Sequence, residues 1–180
     1  MVSKHQLAKY PDYVAAIGMI ALEVVDLELV LSVLLARTLM VTPKVGESIY
    51  MTPKGDRARL DILENVAQTV FATKSTGVPT STLGKQKYEA RKKVLAIVKR
   101  CRASIEDRHR IIHDDWYISS ETQEIKRVMV DGKVTREGVK VTLGELDDIL
   151  KKLRTLIDDV SKLSDEFRKN PPIMVSMRRD

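Results

Sequence analysis

The stretch Thr142–Phe167, TLGELDDILKKLRTLIDDVSKLSDEF, sets the fold class. Its apolar residues Leu143, Leu146, Ile149, Leu150, Leu153, Leu156, Ile157, Val160, Leu163 and Phe167 recur with the three-and-four spacing of a single buried helical face. Thr142 and Glu145 stand three apart, the spacing at which a threonine hydroxyl and a glutamate cap each other's backbone N–H groups at a helix start. Asn170-Pro171-Pro172 ends the helix, because proline offers no N–H to continue it. A long amphipathic helix near the end of the chain therefore predicts a helical protein.

Towards the start of the chain, the most apolar segment, Val14 to Val41, has a seam at Ile17, Ile20, Val24, Leu27, Leu31 and Leu34. Met19, Leu22, Val25, Leu29, Val30, Val33 and Leu35 cover most of its remaining surface, which places this helix in the core, at a subunit interface, or both. Glu23, Asp26 and Glu28 at its centre make a membrane span costly, and no cleavage site of small residues follows. Neither a transmembrane segment nor a signal peptide is expected. Pro43, Gly46, Pro53 and Gly55 are expected to break the chain before a second helix over about 56–72. A loop is expected over 73–83, with Ser81 or Thr82 capping a third helix that runs to about Arg110.

After that helix the pattern turns to β-forming residues. Trp116-Tyr117-Ile118, Ile125 to Val130 and Lys133 to Val141, with Asp131-Gly132 as a turn, predict a hairpin or three-stranded insert. The expected architecture is mainly α: four or five helices in a bundle with a small β insert. Residues 1–170 are expected to form one domain, with the insert at about 116–141 and a basic tail over 171–180.

Composition narrows the function classes. The chain has 180 residues, 43% of them hydrophobic and 31% charged, which suits one folded domain and excludes a disordered or fibrous chain. Its eight aromatic residues are too few for an aromatic-rich β-sandwich. A single cysteine, Cys101, allows no internal disulfide and no thiol-rich metal site, so a cytoplasmic location is expected. Cys101 falls on the apolar face of its helix and reads as a small buried residue rather than a nucleophile. The net charge of +6 is uneven: Gly84 to Arg110 carries ten basic residues against three acidic ones, a local +7. That stripe is either a solvated face or a surface for the phosphates of RNA.

The densest run of chemically capable side chains is Arg108-His109-Arg110-Ile111-Ile112-His113-Asp114-Asp115-Trp116. Arginine brings a permanent planar cation suited to phosphate, and histidine exchanges protons near neutral pH. RNA cleavage needs both: a base to deprotonate the ribose 2′-OH, an acid for the leaving oxygen, and a cation for the developing charge. A five-residue spacing on an unbroken helix turns Arg108 and His113 about 140° apart. A shared site therefore needs the helix to end or bend between them, or a second subunit. The structural alternative is a helix C-terminus decorated with cations that complement its dipole. His113-Asp114 also raises a metal phosphohydrolase, but only His5 and His109 remain as further imidazoles, so neither a metal nor a cofactor is expected.

The run Arg108 to His113 resembles the R-x4-H motif of HEPN domains, with a polar residue after the arginine and an aromatic, Trp116, three residues after the histidine. The order of elements is similar to that of small bacterial HEPN-like proteins. The resemblance implies a homodimer whose motifs face each other across a cleft, and the dimer contact is expected through the first or third helix. It implies a metal-independent endoribonuclease, often a toxin or phage-defence component restrained by an antitoxin or regulatory protein. Arg108 would hold the scissile phosphate and His113 would transfer protons. His109 stands where asparagine is more usual. Arg110, Arg102 and Lys99 are the cations expected to hold the substrate, with Glu23, Asp26 and Trp116 in support. Either Glu23 or Asp26 pairs with Arg108, or both reach solvent. The alternative on the same scaffold is a non-catalytic dimer that binds RNA or protein.

Overall fold

The computed structural model describes residues 4–73, 79, 81–119, 121–122, 124–128, 130–131, 134–135 and 138–172. A 3-10 turn over Lys4–Lys9 leads into α1 (Pro11–Leu39), α2 (Pro43–Met51), α3 (Asp56–Val70) and α4 (Thr82–His113). Five short strands follow, β1 (Asp115–Ile118), β2 (Ile125–Val128), β3 (Val130–Asp131), β4 (Val134–Thr135) and β5 (Val139–Lys140), and α5 (Leu143–Lys169) comes last. The protein is mainly helical, with a small antiparallel sheet before its last helix. That sheet has the order β1-β2-β5 and sets Trp116 opposite Arg127, while β3 and β4 pair separately. The loop expected over 73–83 falls largely outside the described residues, as do Gly132 of the expected turn and the tail from 173 onward.

One expectation is corrected. Residues 43–51, expected only to break the chain, form α2. Pro43 sits at the first helical turn, where a missing N–H costs nothing and the fixed φ favours helix. Gly46 is needed there for another reason: a Cβ would lie 2.4 Å from the Ala36 Cβ and within 2.9 Å of the Ala36 backbone, so only glycine permits this approach of α2 to α1.

The chain divides into two compact units, one of residues Met1–Asp26 with Ala103–Thr155 and the other of Leu27–Arg102 with Leu156–Asp180. α1, α4 and α5 each contribute a segment to both. The core of the second unit is aliphatic: Leu27, Leu31, Leu34, Leu60, Leu63, Val94, Val98, Leu156 and Val160 are buried, with Phe71 edge-on to Phe167 at 5.8 Å. Each fully buried leucine contributes roughly 1.5–3 kcal/mol. Arg59 of α3 pairs with Glu28 of α1, which gives that carboxylate on an apolar helix a partner.

In the first unit Ile20, Val24, Ile111, Trp116, Ile125, Leu146 and Leu153 are buried. Tyr13 of α1 donates its hydroxyl to the Val141 carbonyl at 3.2 Å. The capping box is present: the Thr142 N–H donates to Glu145 Oε2 at 2.7 Å, and the Glu145 N–H donates to Thr142 Oγ1 at 3.2 Å. Among the described residues no helix is long and apolar enough to cross a membrane.

Candidate active site

α4 runs unbroken through Arg108 and ends at His113. The ending that would bring Arg108 and His113 together does not fall between them, so the about 140° between the two positions stands. The helix instead brings His109 and His113, one turn apart, to a ring-centroid separation of 4.6 Å with the planes inclined by 45°. Both imidazoles are exposed. Arg110, also exposed, lies on the side of α4 next to His113, about 60° round the axis. Its guanidinium reaches Glu106 at 3.4 Å, a long and weak pair that leaves most of its donors to solvent. Arg108 is half-buried, and its Nε is enclosed.

The first two strands of the sheet fix the end of the helix. The indole N–H of Trp116 donates to the Ile111 carbonyl at 2.8 Å, meeting one of the four carbonyls that a helix C-terminus leaves unpaired. Asp114, directly after His113, lies with Oδ2 3.6 Å from Arg127 Nε on β2, in an ion pair whose side chains are only 10% and 19% exposed. Trp116 and Arg127 are cross-strand partners, so the sheet register sets both contacts. The role of Arg127 has no local signal in the sequence, because its partner is thirteen residues away and the pairing depends on the register.

Other expected site residues have partners or exposures of their own. Arg102 lies between two carboxylates of α3, 2.6 Å from Asp61 and 2.5 Å from Glu64. Desolvation works against its charge, yet the hydrogen bonds with Asp61 and Glu64 outweigh it and raise its pKa above the arginine norm. Lys99 is exposed. Glu23 pairs with Arg154 of α5 at 2.6 Å, and Asp26 is exposed. The Arg154 guanidinium thus gives the Glu23 carboxylate a partner on an otherwise largely apolar helix. The +7 stripe is partly neutralised in the fold. Lys93 meets Glu166 at 2.6 Å and Arg100 meets Asp159 at 2.8 Å, both carboxylates on α5.

Beside the motif is a groove of about 270 Å³. It is lined by apolar residues, among them Ile111, Val141, Leu146 and Ile149, and by charged ones, among them Arg110 and Asp107. Cys101 is fully buried; desolvation pushes its thiol pKa up to about 12, which makes it inert as a nucleophile.

The chain matches no known family model, no curated protein and no solved structure. The chemistry of the site therefore rests on its own residues.

Proposed function

We propose that the protein is a metal-independent endoribonuclease whose proton-transfer groups are His109 and His113. The observation that carries this reading is the exposed imidazole pair, 4.6 Å between centroids, with Arg110 on the adjoining side of the same helix turn. One imidazole takes the proton of a ribose 2′-OH, whose oxygen attacks the adjacent phosphorus. The P–O5′ bond breaks, and the leaving oxygen takes a proton from the other imidazole. The products are a 2′,3′-cyclic phosphate and a 5′-OH. Arg110 neutralises the charge that develops on the non-bridging oxygens. Each proton transfer is worth about 10²–10⁴-fold in rate.

Arg108 faces away from His113 on its own helix, so its contact with the scissile phosphate is assigned to a second copy whose motif faces the first. A homodimer is supported by α1, which exposes Met19, Leu22, Val25 and Leu29 at 39–61%. Ala15, Gly18, Leu22, Val25 and Leu29 follow one another at alternating intervals of three and four, the spacing of a helix–helix seam. RNA in the cytoplasm is the inferred substrate, and a toxin or defence role with a restraining protein partner is the inferred context.

The test is incubation of RNA with the purified protein in EDTA, comparing wild type with His113→Ala and His109→Ala. Cleavage by wild type that falls at least about 100-fold in either variant supports the reading. Equal cleavage by all three removes it. RNA binding without cleavage, undiminished in His113→Ala, leaves a binding module on the same scaffold.

A further inference from the structure

We propose that His109 and His113 form a two-histidine chelate for a divalent transition-metal ion, Zn²⁺ or Cu²⁺, at the exposed end of α4. Two histidines one helical turn apart project from the same face, the spacing that places two imidazole nitrogens on one ion. Tetrahedral Zn²⁺ with Zn–N bonds of about 2.0–2.1 Å needs its two nitrogens about 3.3 Å apart. Rings with centroids 4.6 Å apart reach that separation by side-chain rotation alone, because both are exposed and nothing buried has to move.

α4 itself is a rigid platform for the pair. Trp116 fixes the Ile111 carbonyl and Asp114 pairs with Arg127, so the last turn that carries His113 is held in register with His109. Among the described residues no group of three or more His, Cys, Asp or Glu side chains could hold a metal ion. The chelate therefore has two protein ligands, with water in the other positions, and is an open, exchangeable site rather than a structural one. The positive charge of Arg110 on the same helix turn lowers affinity for any cation, and Cu²⁺ binds more tightly than Zn²⁺ in the usual order for nitrogen ligands.

The consequence for activity rests on the reading of the pair as the acid–base couple: an ion on both imidazoles occupies the lone pairs that proton transfer uses, and silences the site. The binding itself does not depend on that reading. Calorimetric titration of the full chain with ZnCl₂, and separately with CuCl₂, tests it without any RNA. The expected result is one ion per chain for wild type and for His5→Ala, with affinity at least about tenfold weaker in His109→Ala and in His113→Ala. Circular dichroism of each variant confirms that the helix is intact. Wild-type affinity in either single variant overturns the proposal, as does the absence of binding by wild type at ion concentrations up to about 1 mM. A protein that binds the ion but never cleaves RNA refutes the nuclease reading and leaves the chelate standing.

Discussion

The Trp116 indole N–H and the Ile111 carbonyl, 2.8 Å apart, join the first strand to the last turn of the helix that carries the histidine pair. The bond is buried, with Trp116 8% and Ile111 2% exposed. A buried carbonyl stripped of its donor costs about 1–3 kcal/mol. Trp116→Phe, which keeps an aromatic ring and removes the N–H, is expected to lower unfolding free energy by that amount in urea titration. The NMR signals of His113 are expected to shift more than those of residues on α3, because the last turn of α4 loses its tie.

Arg102 and Lys99 lie three residues apart on α4 but in different circumstances. Arg102 is held by Asp61 and Glu64, and Lys99 is exposed. Arg102→Ala is expected to cost stability, up to about 1 kcal/mol for a half-exposed pair, and to change RNA affinity little. Lys99→Ala is expected to leave stability unchanged and to reduce the salt dependence of RNA binding by about one ion. Fluorescence anisotropy across a salt series, alongside thermal melts, separates the two effects.

Cys101 and Tyr50 share a buried environment in the second unit, and burial raises the pKa of both. A group with a folded pKa above its unfolded value favours the native state fully below the unfolded pKa and loses that contribution as pH rises towards the folded one. For Cys101 the window runs from about 9 to about 12. Stability is expected to hold between pH 7 and 8 and to decline above about pH 9 through Cys101 and above about pH 10 through Tyr50 as well, by up to about 1.4 kcal/mol per pH unit for each group. Urea titrations at stepped pH measure it. In native protein at pH 8 the thiol is expected to react with a disulfide reagent only on the timescale of unfolding.

The elements of this fold are legible in the sequence where periodicity is strong. The α5 stripe, its Thr142–Glu145 cap and its Asn170-Pro171-Pro172 stop need only local information, and each corresponds to an observed feature. Residues 43–51 escape a local reading, because Pro43 and Gly46 have the look of helix breakers. In the fold the proline starts the helix and the glycine meets Ala36, a contact that no local pattern encodes.

At the candidate site, the spacing of Arg108 and His113 announces a geometric conflict that an unbroken α4 does not relieve. The neighbour that His113 does have, His109, is an i, i+4 relation readable from the sequence. The acids on α3 and α5 that neutralise Arg102, Lys93 and Arg100 are not readable there, since such pairs arise from packing between distant segments.

The sharpest test of the histidine-pair chemistry is the nature of the ends made from RNA by the protein in EDTA. The pair predicts fragments with 2′,3′-cyclic phosphate and 5′-OH ends, and no cutting of a DNA strand of the same sequence, which lacks the attacking 2′-OH. Fragments with 3′-OH and 5′-phosphate ends, or cleavage of the DNA strand, would refute it.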